Sequence, residues 1–193
     1  YEEEDGTFIM NSKDLCMIQY IPELIKAGIN SFKIEGRVKS SYYVASVIRS
    51  YRIAIDEYYK NPDSYSFKEE DLDEIKKASH RDFTTGFYFG KPTEEAQIYE
   101  SSSYIRGYDF VGMILDYDVE TRIATVEQRN RMFVGDEIEV FGPGIKHFTQ
   151  KIENMWDENN NEIEVAPHPQ QIIKMKMDNM VEKYYIMRKY KGE

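Results

Sequence analysis

Lys33, Glu35 and Arg37 occupy alternate positions in the stretch SFKIEGRVKSSYY, with Gly36 between the last two. Two cations and a carboxylate at this spacing can hold a polar network among themselves. They can also pair with a substrate. Side chains alternate across an extended strand, so Phe32 and Ile34 point one way and Lys33 and Glu35 the other. In a βα-barrel, Phe32 and Ile34 would face the outer helices and Lys33 and Glu35 the lumen. Glu35 would then stand at the C-terminal end of its strand, where such barrels keep their active sites. Gly36 lets the chain turn without a Cβ clash, and Arg37 and Lys39 follow on the loop. Buried unpaired charges cost several kcal/mol, so Lys33 and Glu35 are expected to pair with each other or with a substrate. A salt-bridged plug at the barrel end and a working site are both open at this stage. Tyr43 and its neighbour Tyr42, beside Lys39, could stack on bases or simply pack. His80 and Arg81 could be site residues on a loop, or His80 could cap the helix before it.

Other chemistries are poorly supported. The sequence has no H-E-x-x-H pair, no G-x-S-x-G elbow and no phosphate-cradling Walker loop. The three histidines, His80, His147 and His168, are too scattered to suggest zinc, and the single cysteine, Cys16, excludes an internal disulfide and a cysteine-based metal site. No metal ligand is assigned. The net charge of −10 argues against non-specific nucleic-acid binding, though a local basic patch is still compatible with it. No apolar run approaches the roughly 20 residues that span a bilayer, so no membrane partner is expected. One thiol in a water-soluble chain suits a reducing, cytoplasmic setting.

The elements that would position these residues fall into two halves. MNSKDLCMIQYIPELIKAG predicts a helix with Asn11 or Ser12 as N-cap, a stripe of Leu15, Ile18, Ile21, Leu24 and Ile25, a break at Pro22 and an end at Gly28. A strand over Ser31–Glu35 follows. A second helix is expected from Ser41 to Lys60, with Val44, Val47, Ile48, Tyr51, Ile55 and Tyr58 on its apolar face. A third begins at Ser66, which with Glu69 forms an S-x-x-E capping box, and shows Leu72 and Ile75 to the core. SHRDFTTGFYFGKP reads as loop and short strand. Residues 93–106 are polar and read as a linker. From Gly107 the period changes to two, and six strand-length runs separated by turn residues predict a small antiparallel barrel. Arg129 with Arg131, and Arg188 with Lys189 and Lys191, are basic clusters that could touch phosphate or be ordinary surface. The fold class expected is α+β: a partial TIM-like α/β segment (helix–strand–helices) followed by a small antiparallel β-barrel.

The motifs N-S-K-D-L, K-I-E-G-R and H-R-x-[FY]-[ST]-x-G-[FY], with YDFVGMILDYD, QRN, GDEIEVFGP and APHPQQ in the second half, resemble the peptidase U32, or collagenase-like protease, family. The resemblance implies residues 1–92 as the C-terminal part of an incomplete TIM-like catalytic domain, 93–106 as linker and 107–193 as the family's C-terminal β-barrel. It implies prephenate-dependent 5-hydroxylation of the tRNA wobble uridine by the full-length protein, with tRNA as partner. Proteolysis of a protein or peptide is the alternative, and an RNA- or domain-binding accessory module a further one. Lys33 and Glu35 are then expected in the catalytic lumen, with Arg37, Lys39, Tyr43, His80 and Arg81 binding substrate. The family's iron–sulfur cluster is held by cysteines that this sequence lacks, so no cofactor is expected within it. A closed βα-barrel takes roughly 250 residues. The chain is therefore expected to need the missing N-terminal domain of the same protein, and to be inactive alone.

Overall fold

A computed structural model describes residues 11–78, 80–99 and 104–192. The chain divides into two units, Tyr1–Arg106 and Gly107–Glu193, each with its own apolar core.

The first unit departs early from the sequence expectation. No helix starts at Asn11 or Ser12. Asp14–Leu15 (β1) is extended and pairs in parallel with Phe83–Thr84 (β2). Helix α1 spans Ile21–Lys26, after a 3-10 turn at Ile18–Tyr20. Pro22 accounts for the difference: it lies in the first turn of α1, where a missing N–H forfeits no helical bond. Leu15, placed in the helical stripe by its spacing, is 59% exposed. Gly28 ends the helix as expected. Its φ is +83°, and the Gly28 and Ile29 N–H groups donate to the Ile25 and Leu24 carbonyls at 2.9 and 3.2 Å. This is a Schellman closure, which satisfies the last carbonyls of the helix.

Helix α2 spans Ser41–Lys60, and the Ser40 hydroxyl accepts the Tyr43 N–H at 3.3 Å. Its buried face is only partly the expected one. Val47 and Tyr58 are buried, but so are Ser46, Ser50 and Ala54, whereas Ile48 is exposed. The three small residues recur every four positions and let α3, Glu69–Lys76, pack closely. The capping box at Ser66 does not form. The cap position is Lys68, whose side chain makes no capping bond, and Glu69, Glu70 and Asp71 meet the positive end of the helix instead. Ile75 is buried and Leu72 packs beside it, as expected. The Tyr42 hydroxyl donates to the Lys77 carbonyl at 2.8 Å and Arg49 pairs with Glu74 at 3.3 Å, tying α2 to α3 and the residue after it.

Ser31–Glu35 belongs to no ladder among the described residues, contrary to the strand expected there. A parallel strand needs neighbours for its N–H and C=O groups. The alternation survives without them: Phe32 and Ile34 pack on the α1–α2 core, and Lys33 and Glu35 are exposed. The described ends of the expected linker also bond back to the unit. Gln97 bridges to Ser12 and Ile105 to His80.

In the second unit, β3 (Tyr108–Asp118), β4 (Ile123–Gln128), β6 (Glu137–Phe141), β7 (Phe148–Lys151), β8 (Met155–Asp157), β9 (Glu162–Ile163), β11 (Ile172–Lys176) and β12 (Ile186–Tyr190) form one antiparallel sheet. Its order is β7-β6-β12-β3-β4-β11-β8-β9, and β5 (Met132–Phe133) pairs separately with β10 (Val165–Ala166). The sheet curls as a half-barrel around Val111, Ile114, Val126, Ile138, Ile173 and Met187. Buried Gln150 on edge strand β7 links across the curl: its Nε2 donates to the Lys176 carbonyl at 3.0 Å and its Oε1 accepts the Asp178 N–H at 3.0 Å. The fold class is α+β, with the antiparallel sheet in the second half.

Strand β12 has no counterpart in the sequence reading, which took Arg188, Lys189 and Lys191 as a basic end. Arg188 is fully buried, and its guanidinium reaches Glu139 on β6 at 2.6 and 2.7 Å, between the rings of Tyr108 and Phe141. Lys189 pairs with Asp136 at 2.8 Å and Lys191 with Asp109 at 3.1 Å. Removing one partner of a buried ion pair leaves the other charge uncompensated, so Arg188→Ala should destabilise this unit by about 3–5 kcal/mol. Lys191→Ala, at a solvent-facing pair, should cost under about 1 kcal/mol. Urea unfolding followed by the fluorescence of Trp156, the single tryptophan, reads both.

Candidate anion-binding site

Lys33, Glu35, Arg37, Lys39 and Tyr43 line one cavity of about 520 Å³ in the first unit, together with residues that include Asp14, Phe32, Ile34 and Tyr51. The turn after the extended segment presents the cations. The Lys39 N–H closes it on the Gly36 carbonyl at 2.9 Å, and the Glu35 carboxylate accepts the Arg37 N–H at 3.0 Å. Glu35 thus shapes the turn rather than pairing with Lys33; among the described residues Lys33, Glu35 and Arg37 have no ion pair. Gly36 is required for a different reason from the one its sequence position suggests. A Cβ there would lie 2.6 Å from the Val44 Cγ2 methyl group, so the glycine permits close approach of α2.

Aromatic rings hold Lys39. Its ammonium lies 3.8 Å from the centre of the Tyr104 ring and 4.8 Å from that of Tyr43. The Arg81 guanidinium lies 4.9 Å from the same Tyr104 ring. Burial, and next the Asp14 carboxylate, push the Tyr43 phenol up, so it stays protonated at neutral pH and can donate. Asp14 is itself fixed by the Arg81 N–H, which donates to its Oδ2 at 3.0 Å.

His80 does not face the cavity. It is buried, its Nδ1 lies 2.8 Å from the Ala78 carbonyl, and its ring stacks on Phe83 at 4.9 Å. Its contribution is to hold the chain after α3, not to touch a ligand there. Cys16 sits beside the Tyr51 hydroxyl at 3.8 Å, and burial pushes its thiol up. A protonated, packed thiol is a poor nucleophile and a poor metal ligand. In the second unit Arg129 pairs with Glu127 at 2.6 Å.

Sequence reasoning missed Asp14 and Tyr104. Asp14 was expected in the first turn of a helix, and Tyr104 lay in a stretch taken as linker. An aromatic residue followed by Ile105 and Arg106, after the polar run at residues 100–103, was the available signal. Together Lys33, Arg37, Lys39 and Tyr43 give the cavity, which Asp14 and Glu35 also line, three cations and a phenol donor, which is chemistry for binding an oxyanion with an adjacent planar or apolar portion.

Residues 1–98 match the family described as Peptidase family U32, and residues 106–188 match the Peptidase family U32 C-terminal domain. The chain is 46% identical over 191 residues to tRNA hydroxylation protein P1 of Bacillus subtilis, covering 99% of this chain and 45% of that protein. It is 36% identical over 168 residues to tRNA hydroxylation protein P of Haemophilus influenzae, covering 86% and 35%. The crystallised C-terminal domain of a U32 peptidase from Geobacillus thermoleovorans is 53% identical, covering 42% of this chain and 91% of that one, with a TM-score of 0.41. The chain spans less than half the length of the curated relatives just described.

The close approach at Gly36 gives a test of how the cation-bearing turn is held. Gly36→Ala should lower stability by about 1–3 kcal/mol, the range for overpacking. Combining it with Val44→Ala, which removes the opposing methyl groups, should recover part of the loss in the same thermal unfolding experiment.

Proposed function

The chain belongs to peptidase family U32, and we propose that it is the C-terminal portion of a protein that hydroxylates tRNA at the wobble uridine. One observation carries the reading. Lys33, Arg37 and Lys39, on or beside a single turn, line one cavity with an aromatic wall, in a chain whose net charge is −10. Positive charge gathered against the overall balance attracts a negatively charged ligand. The names of the relatives, tRNA hydroxylation proteins, supply the substrate class.

In this reading Arg37 and Lys39 bind oxyanions, either RNA phosphate or the carboxylates of prephenate. Arginine can grip such groups with two parallel bonds. Tyr43 donates from the cavity wall. Glu35 sets the turn that aims Arg37, and Lys33 adds charge beside it. Arg81 belongs to the same anion site through Tyr104, and His80 anchors the backbone behind it. Phe32 and Ile34 face the helices while Lys33 and Glu35 face away. That arrangement suits the inner and outer sides of a TIM-like barrel completed by another domain of the same protein; this chain spans 45% and 35% of the two relatives. The isolated chain is then inactive. An iron–sulfur cluster, which the family resemblance implies, does not fit the residues here: Cys16 is the single cysteine and it is packed against Tyr51. The cluster ligands are assigned outside this chain, and no step is derived through the cluster. The setting is cytoplasmic, where tRNA is modified; no helix among the described residues is long and apolar enough to cross a membrane.

The peptidase reading has less behind it. Cys16 is protonated and His80 is turned to a carbonyl, so these two do not form a nucleophile and base.

Nucleoside mass spectrometry of tRNA from a strain lacking the gene is the test. The 5-hydroxyuridine-type nucleosides should vanish in the deletion and return with the unmodified full-length protein. Glu35→Ala, which loosens the turn that aims Arg37, should restore them only in part. Arg37→Gln should lower the rate of their formation about ten- to a hundredfold, the equivalent of one charge-assisted hydrogen bond. Unchanged nucleosides in the deletion would sink the proposal and return attention to proteolysis.

A further inference from the structure

We propose that Tyr104 is a positioning residue of the oxyanion site, whose ring holds the Lys39 ammonium of the cavity wall beside the Arg81 guanidinium. The inference rests on the reading of this wall as an anion site. It goes beyond that reading by assigning a role to a residue that contributes no charge.

Three observations converge on the ring. Lys39 and Arg81 are like charges from distant parts of the chain, and both lie against it, at 3.8 and 4.9 Å from its centre. Two cations brought together repel one another. The electron-rich face of a tyrosine offsets part of that repulsion, and a bound oxyanion offsets more. Arg81 also lacks the hydrogen bonds that would orient it alone. Its Nε is buried with no acceptor among the described residues, and its terminal nitrogen reaches only the Ser12 carbonyl, at 3.2 Å. The ring face is therefore the main restraint on the plane of the guanidinium. The ring itself is fixed from behind. The Ile105 N–H donates to the His80 carbonyl at 2.8 Å, and the His80 N–H donates back to the Ile105 carbonyl at 3.3 Å. This exchange places Tyr104 next to Arg81, and it gives the His80–Arg81 pair a joint task. His80 anchors the segment through its backbone, and Arg81 lies on the ring that the segment brings.

The ligand chemistry is an oxyanion, from RNA phosphate or from a small acid. The experiment uses the full chain, with Tyr104 replaced by Phe, by pentafluorophenylalanine and by Leu, and measures dissociation constants for an unmodified tRNA transcript and for inorganic phosphate. Phe keeps the negative ring face and should rescue binding to within about twofold. Pentafluorophenylalanine keeps the shape but reverses the quadrupole, and should weaken binding about five- to thirtyfold, as should Leu. Upfield ring-current shifts of the Lys39 side-chain protons should persist in the Phe variant and disappear in the Leu variant. Weakening with tRNA alone marks RNA phosphate as the source; weakening with both probes marks a small oxyanion. If pentafluorophenylalanine binds as well as Phe while Lys39→Gln and Arg81→Gln each weaken binding, Tyr104 only fills space and the inference falls alone. If those two charge variants bind like the unmodified chain, or if the unmodified chain binds neither probe, the anion reading falls and takes the inference with it.

Discussion

One backbone clasp organises the first unit. The Asp14 N–H donates to the Asp82 carbonyl at 2.8 Å, and the Asp14 carboxylate takes the Arg81 N–H at 3.0 Å. These bonds join segments nearly seventy positions apart, and they set the register of the two-residue parallel pair between β1 and β2. A pair so short has little ladder energy of its own, so a side-chain carboxylate bonded to the backbone contributes a large share of what holds it. Once the clasp is made, Arg81 is delivered to the Tyr104 ring, against which Lys39 also lies.

The helices were legible where periodicity and punctuation agreed. The limits of α2 and the glycine end of α1 follow from Ser40, Asn61 and Gly28, residues whose backbone and side-chain preferences leave few alternatives. The failures have equally specific causes. Leu15 matched a helical stripe by spacing, but Pro22 gave α1 a later start. Ser46 and Ser50 are polar by type and so were left off the buried face, although a close helix contact selects for size. Ser66 and Glu69 had the spacing of a capping box, but the helix begins after Lys68, out of phase with it.

The candidate site was legible as a list of residues more than as an arrangement. Alternation correctly separated Lys33 and Glu35 from Phe32 and Ile34, because a pleated backbone imposes that whether or not a neighbour is present. It could not show that Glu35 would spend its carboxylate on the Arg37 N–H. Asp14 and Tyr104 depend on contacts between residues 67 or more positions from their partners in the case of Asp14 with Arg81, and on an apparent linker folding back in the case of Tyr104. No local pattern encodes either. The basic residues of β12 went astray for a related reason. A guanidinium enters an apolar interior only when a carboxylate waits on another strand, and Glu139 lies 49 positions away.

The place of β12 also constrains the order in which the second unit can be built. It enters between β6 and β3, and its register runs against both. As a nascent chain emerges, β3, β4 and β6 are available well before Ile186–Tyr190, yet β3 and β6 have no common partner until then. Their facing edges must stay open through most of synthesis, and Glu139 must stay hydrated until Arg188 arrives. Closure is then a late insertion, with a long loop to close before any of its contacts form. Until it happens, two unfilled strand edges offer themselves to any other extended chain.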